Sequence, residues 1–349
     1  MAFELRSDTF TRPTAQVRAA MAQATVGDDV WGEDPTVTAL EEHVAALTGK
    51  DAALLVPSGT MGNAIALRLH AGQGDRVFVH EHAHIVEHEG GGPAALWGID
   101  AHRLPGADGR IAPATIALAL PQDPDDVHLS RPRLICVENS HMYSGGRVWP
   151  LADLAALAQW GRAHDLPLHM DGARLFNAAV ALDVPVAAIA EHVDTVQFCL
   201  SKGLGAPVGS MLAGPAGLMT GARRVRKLLG GGMRQAGVLA AAGLHVLEHH
   251  VARLADDHAN ASRLARGLAQ IGGRLSVDPG RVETNIVCAG VTGAADSALA
   301  ITSDLAGAGV LADALDHRIV RFVTSMEIDA QGIDAALERA ATVLGGRGA

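Results

Sequence analysis

The chain has 349 residues, 48% hydrophobic and 19% charged, which excludes a disordered polymer and calls for one large domain plus a smaller one. A formal net charge of −10 argues against a nucleic-acid partner, because binding a phosphate backbone requires a positive surface. No uncharged apolar run reaches the ~20 residues that span a bilayer, and the charged start MAFELRSDTF lacks the apolar stretch of a signal peptide, so no membrane association and a cytoplasmic location are expected.

Residues 1–25 read as an arm that packs on other parts of the molecule. Short apolar or β-branched runs then predict strands over 52–56, 76–80, 101–104, 133–137, 167–170, 195–200 and 209–212. Alanine-rich helical stretches separate them, one following the first strand through Leu69 and the clearest over 151–164. Alternating β and α elements predict a mostly parallel sheet between helices, which places ligands at the carboxyl ends of the strands. After about Gly237 the pattern changes to one long charged helical run, Val238 to about Ile271. Short strands around 286–289 and 318–323 follow, giving a smaller α+β domain. The expected division is an arm over 1–25, a large domain over 26–240 and a small domain over 241–349.

Three strand ends carry chemistry. Lys202 follows Phe198, Cys199, Leu200 and Ser201 and precedes glycines; a lysine there is costly as a cation and, when desolvated, serves as an amine nucleophile. Asp171 ends the run Leu168, His169, Met170 and suits pairing with a protonated pyridine nitrogen, or equally capping a helix. Ser58, Gly59 and Thr60 open a helix directly after the first strand and form a phosphate cradle without the lysine of a nucleotide loop. Each signal alone has an ordinary reading as surface lysine, cap or turn. Together they describe a pyridoxal-phosphate pocket.

Other features are weaker. His80, His82 and His84 would share one face of a strand, which invites a metal. The chain holds 17 histidines and no cysteine or acidic set at metal spacing completes the site, so a ring-stacking or basic histidine is the better reading and no metal is expected. The basic, glycine-rich segment from Arg223 through Lys227 to Arg234 is a solvated helix face or a local anion site. Cys136, Cys199 and Cys288 lie far apart in apolar runs and read as buried free thiols, in keeping with a reducing compartment.

In these motifs the sequence resembles the low-specificity L-threonine aldolases, fold type I pyridoxal-phosphate enzymes of the aspartate aminotransferase superfamily. The resemblance runs over essentially the whole chain. It includes Leu5-Arg6-Ser7-Asp8-Thr9, the stretch from Gly27 to Thr36, Asp171-Gly172-Ala173-Arg174, Leu200-Ser201-Lys202-Gly203 and Gly230 to Gln235. It implies a seven-stranded, mostly parallel sheet of the transferase-like fold. It implies cleavage of L-threonine, L-allo-threonine and related β-hydroxy amino acids to glycine and an aldehyde. It further implies that Lys202 carries pyridoxal 5'-phosphate as a Schiff base and that Asp171 pairs with the ring nitrogen. Gly59 and Thr60 hold the phosphate, Ser201 and Arg174 also bind the cofactor, and His84 stacks on the ring. Ser7, Arg174 and Arg321 bind the substrate carboxylate, and His128 lies near its hydroxyl. Lys227 and Arg234 reach a neighbouring subunit's site, so a homo-oligomer with shared sites, a dimer of dimers, is expected. The base that takes the hydroxyl proton is left open between His84, His128 and water. Trp31, His88 and Ser325 depart from the family's common residues, as do Met142 and Tyr143. Trp31 and His88 are expected on the aldehyde side of the substrate pocket.

Two rivals remain at this stage: another lyase or a racemase on the same fold, and a histidine-cluster metal hydrolase. A non-catalytic cofactor-binding protein is a third class, which the retention of Lys202, Asp171 and Arg174 speaks against.

Overall fold

The computed structural model describes residues 2–345. Its centre is a seven-stranded sheet in the order Ala52–Val56, Ser210–Gly214, Thr195–Cys199, Leu168–Asp171, Pro132–Glu138, Arg76–His80, Asp100–Leu104. All neighbours pair in parallel except at Ser210–Gly214, which runs antiparallel to both of its neighbours. Every strand expected in this region is present, within one or two residues at its ends.

Successive side chains of a strand point to opposite faces, and the two faces here meet different cores. Ala53 and Leu55 pack with Leu40, Leu157 and Val246 on one side. Leu54 and Val56 pack with Ile65 and Met219 on the other. The same alternation sets Phe78 in the first core and Val77 and Val79 in a third. Few aromatics are needed because glycines let the layers approach closely. A Cβ on Gly62 in helix Gly59–His70 would lie 2.6 Å from Gln197 Cγ in the sheet below.

The long helical run expected after Gly237 is two helices, Gly237–His249 and Leu254–Ile271. The break falls at His250, whose Nδ1 lies 2.6 Å from the Leu204 carbonyl oxygen and is buried there, an anchor that local periodicity does not register. The first of the two helices packs against Ala15–Ala22 and Pro35–Thr48 in the large core; the second belongs to the small domain's core from Ala261 onward. The changeover between cores therefore lies after Leu254, later than the compositional change at 240.

The small domain carries a four-stranded antiparallel sheet: Asp313–Ala314, Ile319–Val323, Ile286–Val291 and Leu275–Ser276. The arm is divided between the two bodies. Phe3–Glu4 pairs in parallel with Val310–Leu311, and Leu5 enters the small core, whereas helix Ala15–Ala22 packs on the large one. No helix among the described residues is long and apolar enough to cross a membrane.

Candidate active site

The carboxyl ends of the neighbouring strands Leu168–Asp171 and Thr195–Cys199, and of Ala52–Val56 two places further along the sheet, open on one cavity of about 410 Å³, within the range of small-molecule sites. Asp171 ends its strand, buried, and accepts from Asn63 Nδ2 at 2.9 Å and from the Ala173 amide at 3.1 Å. Lys202 lies just beyond the neighbouring strand, and both residues line the cavity. The opposite wall is the start of helix Gly59–His70. Ser58 caps it, its Oγ accepting from the Met61 amide at 3.2 Å, while the amides of Gly59 and Thr60 belong to the first turn that lacks intrahelical partners. A Cβ on Gly59 would lie 2.9 Å from Cys199 Sγ, so glycine lets this turn sit on the sheet.

His84 enters the cavity from the start of helix His84–Glu87. Its backbone amide donates to Glu138 Oε2 at 2.8 Å, and its Nδ1 donates to Glu89 Oε1 at 3.0 Å. Burial would lower its pKa, but the Glu89 hydrogen bond and the charges of Asp171 and Glu138 leave it raised. Glu138 itself is buried beside Asp171, and both circumstances push its carboxyl up.

A cluster of arginines closes the far side. Arg174 donates through Nε and Nη2 to Asp8 at 2.8 and 2.7 Å, which leaves Nη1 outside that pair. Burial would raise the Asp8 carboxyl; Arg174, Lys202 and Asn285 together bring it below the usual range. Arg321 donates to Asp313 at 2.7 Å and to the Met142 sulfur at 2.9 Å, and its buried Nε has no partner among the described residues. Ser7, His88, Met142, Asp313 and Leu315 complete the rim.

Of the residues singled out from sequence, Ser7, Gly59, Thr60, His84, His88, Asp171, Arg174, Ser201, Lys202 and Arg321 come together around this cavity. Five, Trp31, Lys227, Arg234, His128 and Ser325, do not do so within one copy of the chain. Trp31 is 76% exposed and lines a separate cleft with Lys227. Arg234 donates to Asp28 at 3.0 Å. His128 lies on an exposed loop, its ring held 2.9 Å from Asp126. Ser325 is buried away from the cavity wall.

The histidine segment is not one strand. The strand stops at His80, whose Nε2 lies 3.0 Å from the Gly106 carbonyl oxygen; residues 81–83 then turn, and His82 stacks on Tyr143 at 4.0 Å. Only His84 and His88 of this region's histidines line the cavity. Among the described residues the one His, Asp and Glu group close enough to share an ion is His84, Glu89 and Asp171. Its members are already joined by hydrogen bonds, directly or through Asn63.

Sequence reasoning passed over Asp8, Asn63, Glu89, Gln197 and Asp313 as site residues. A signal existed for two. Asn63 is four residues after Gly59, on the same helix face, and Gln197 alternates with Cys199 on one face of its strand. Glu89 and Asp313 reach the site through loop and domain packing, which leaves no periodic mark.

Known proteins are similar to this chain over most of its length. The beta-eliminating lyase family matches residues 4–293. The probable low-specificity L-threonine aldolase 2 of Arabidopsis thaliana is 47% identical over 286 residues, covering 81% of this chain and 80% of that one. The low specificity L-threonine aldolase of Escherichia coli K12 is 41% identical over 326 residues, covering 93% and 94%. The structure of Leishmania major threonine aldolase shares the fold, with a TM-score of 0.82 at 22% identity over 97% of this chain and 98% of that one. With this identity across most of its length and the strand-end lysine and aspartate in one cavity, the chain belongs to the beta-eliminating lyase family, among the low-specificity L-threonine aldolases.

Proposed function

We propose that the protein is a pyridoxal-phosphate lyase that cleaves L-threonine, L-allo-threonine and related L-β-hydroxy-α-amino acids reversibly to glycine and an aldehyde. The observation that carries this reading is the convergence of Lys202, Asp171 and the helix start at Gly59 on one cavity.

The residues present fit the cofactor. The first-turn amides of Gly59 and Thr60, with the positive end of their helix, suit its phosphate. Asp171 is fixed by two N–H donors and faces the cavity as the partner for a ring nitrogen. His84 is placed to cover the ring, and the Lys202 amine to hold the cofactor covalently. When bound, pyridoxal phosphate supplies the electron sink for the charge released as the Cα–Cβ bond breaks.

The chain's own groups choose the bond. Nη1 of Arg174, the Arg321 guanidinium and Ser7 form the clamp for the substrate carboxylate, and a fixed carboxylate fixes which bond at Cα is aligned for cleavage. Because Nδ1 of His84 donates to Glu89, Nε2 is the nitrogen that can take the β-hydroxyl proton. His84 is therefore the base of choice. His88, Met142 and Leu315 form the wall beside it and bear on which aldehyde is accommodated.

The enzyme works as a homo-oligomer, a dimer of dimers, in which Lys227, Arg234 and Trp31 of one copy complete the site of another. The exposure of Trp31 and Leu228 beside Lys227 supports this. The free cysteines fit a cytoplasmic location.

The test is the visible spectrum of the pure protein, followed by product analysis with L-threonine. Glycine and acetaldehyde should appear together, and Lys202→Ala should abolish both the cofactor band and the products. Threonine yielding 2-oxobutyrate without glycine would replace the aldolase with an eliminating lyase.

A further inference from the structure

Behind Asp171 the buried polar groups form one continuous chain. His169 and Asp171 are two apart on strand Leu168–Asp171 and so face the same side of the sheet. His169 Nε2 lies 3.0 Å from Asn63 Oδ1. Its Nδ1 lies 3.0 Å from Oγ1 of Thr195, its register neighbour on the next strand. That hydroxyl is in turn 3.0 Å from His70 Nε2. On the cavity side Asn63 Nδ2 is 2.9 Å from both Asp171 Oδ2 and Glu89 Oε1, and Glu89 Oε1 receives His84 Nδ1. Asn63, His169 and Thr195 are each at most 1% exposed.

The direction of every link follows. Carboxylate oxygens only accept, so the Asn63 amide must turn its nitrogen to Asp171 and Glu89 and use both hydrogens there. Its oxygen then faces His169, whose proton must sit on Nε2. Burial pushes the His169 pKa down to about 3, so the ring is neutral and Nδ1 accepts from the Thr195 hydroxyl. The Thr195 oxygen is left to accept from His70 Nε2–H. All donors point toward the two carboxylates, and chains of this kind strengthen one another in a dry interior. Reversing one link would set the Asn63 oxygen against a carboxylate.

We infer that His169 is a positioning residue for the reaction: through Asn63 it holds Asp171 and Glu89 in place beneath the cavity, and Thr195 and His70 fix its tautomer from behind. His169 does not itself line the cavity. The inference rests on the lyase reading above, in which Asp171 partners the ring nitrogen and Glu89 orients His84, and it assigns the support for both to one buried imidazole.

The test compares full-length His169→Leu, His169→Gln and Thr195→Val with the unaltered enzyme. The readouts are the dissociation constant for pyridoxal phosphate, the position of the visible band, and kcat and KM with L-threonine. Leucine removes donor and acceptor, whereas glutamine can restore both. Leaving the buried Asn63 oxygen without its donor is worth about tenfold, so His169→Leu should weaken cofactor binding by that factor, shift the band and lower kcat more than it raises KM. Glutamine should recover most of this. Thr195→Val, which keeps the shape, should show the same shift in smaller measure, and it decides the matter should His169→Leu not fold. Leucine and glutamine variants that are equally impaired, or a folded His169→Leu or Thr195→Val enzyme with unaltered cofactor affinity, band and kcat, would overturn the inference while leaving the lyase reading intact. An unaltered enzyme that binds no cofactor at all would overturn both.

Discussion

Asp8 accepts two hydrogen bonds from Arg174, at 2.8 and 2.7 Å, and a third from Asn285 Nδ2 at 3.1 Å. One carboxylate on the arm thus joins the end of a large-domain strand to the small domain. It also sets the guanidinium that faces the cavity. Because the pair is buried, neither partner can be lost without leaving a charge uncompensated.

Asp8→Asn should therefore cost about 3 kcal/mol of stability, read from denaturant unfolding. The pH dependence follows from the lowered carboxyl of Asp8. A depressed folded-state pKa contributes stability that is present above the unfolded value of about 3.9 and is lost as pH falls through the folded value. The unaltered enzyme should lose this contribution only in strong acid, and the asparagine variant should show a flatter acid limb. Equal acid sensitivity of the two would remove Asp8 from the account.

Gly62→Ala tests the close approach of helix Gly59–His70 to the sheet. The added carbon meets Gln197 Cγ at 2.6 Å, so the helix must lift or Gln197 must move. Overpacking of this kind costs about 1–3 kcal/mol. The shift should also weaken cofactor affinity, because the amides of Gly59 and Thr60 ride on the same turn. A variant that loses stability but keeps full affinity for pyridoxal phosphate would place the phosphate elsewhere.

Arg321→Lys should separate substrate binding from cofactor binding. The guanidinium contacts Asp313 and the Met142 sulfur at once and has a further buried N–H, a fork that an ammonium cannot reproduce. KM for L-threonine should rise about tenfold or more with the visible band unchanged, as expected for loss of a bidentate charge contact. An unaltered KM would exclude Arg321 from the carboxylate clamp.

Sharing of sites between copies predicts complementation. Lys202→Ala and Lys227→Ala should each be inactive or weak alone. Mixed and reassociated, half of the dimers carry one intact site in two, so about a quarter of the normal rate should return. No recovery after verified subunit exchange would confine each site to a single chain.

How much of this was readable before folding differs from element to element. The strands were legible because each is an apolar run closed by glycine or a polar cluster, and the sheet buries both faces of it. The break at residues 250–253 was not, because His250 is anchored by a distant carbonyl and the helical period continues across it. The three clustered histidines misled for a related reason: a turn after His80 sends each ring to a different neighbour.

The lysine, the aspartate and the glycine turn were visible in the chain because their chemistry depends on residue type and on a place at a strand end, both local properties. Asp8, Glu89 and Asp313 were invisible because what they do depends on residues 26 to 166 positions away, or on a neighbouring strand of the small domain. The amino-acid order was enough to bring Lys202, Asp171 and the turn at Gly59 forward as the candidate reacting groups. The tertiary packing decided which partners hold those groups, because buried polar atoms must find hydrogen bonds wherever the fold supplies them.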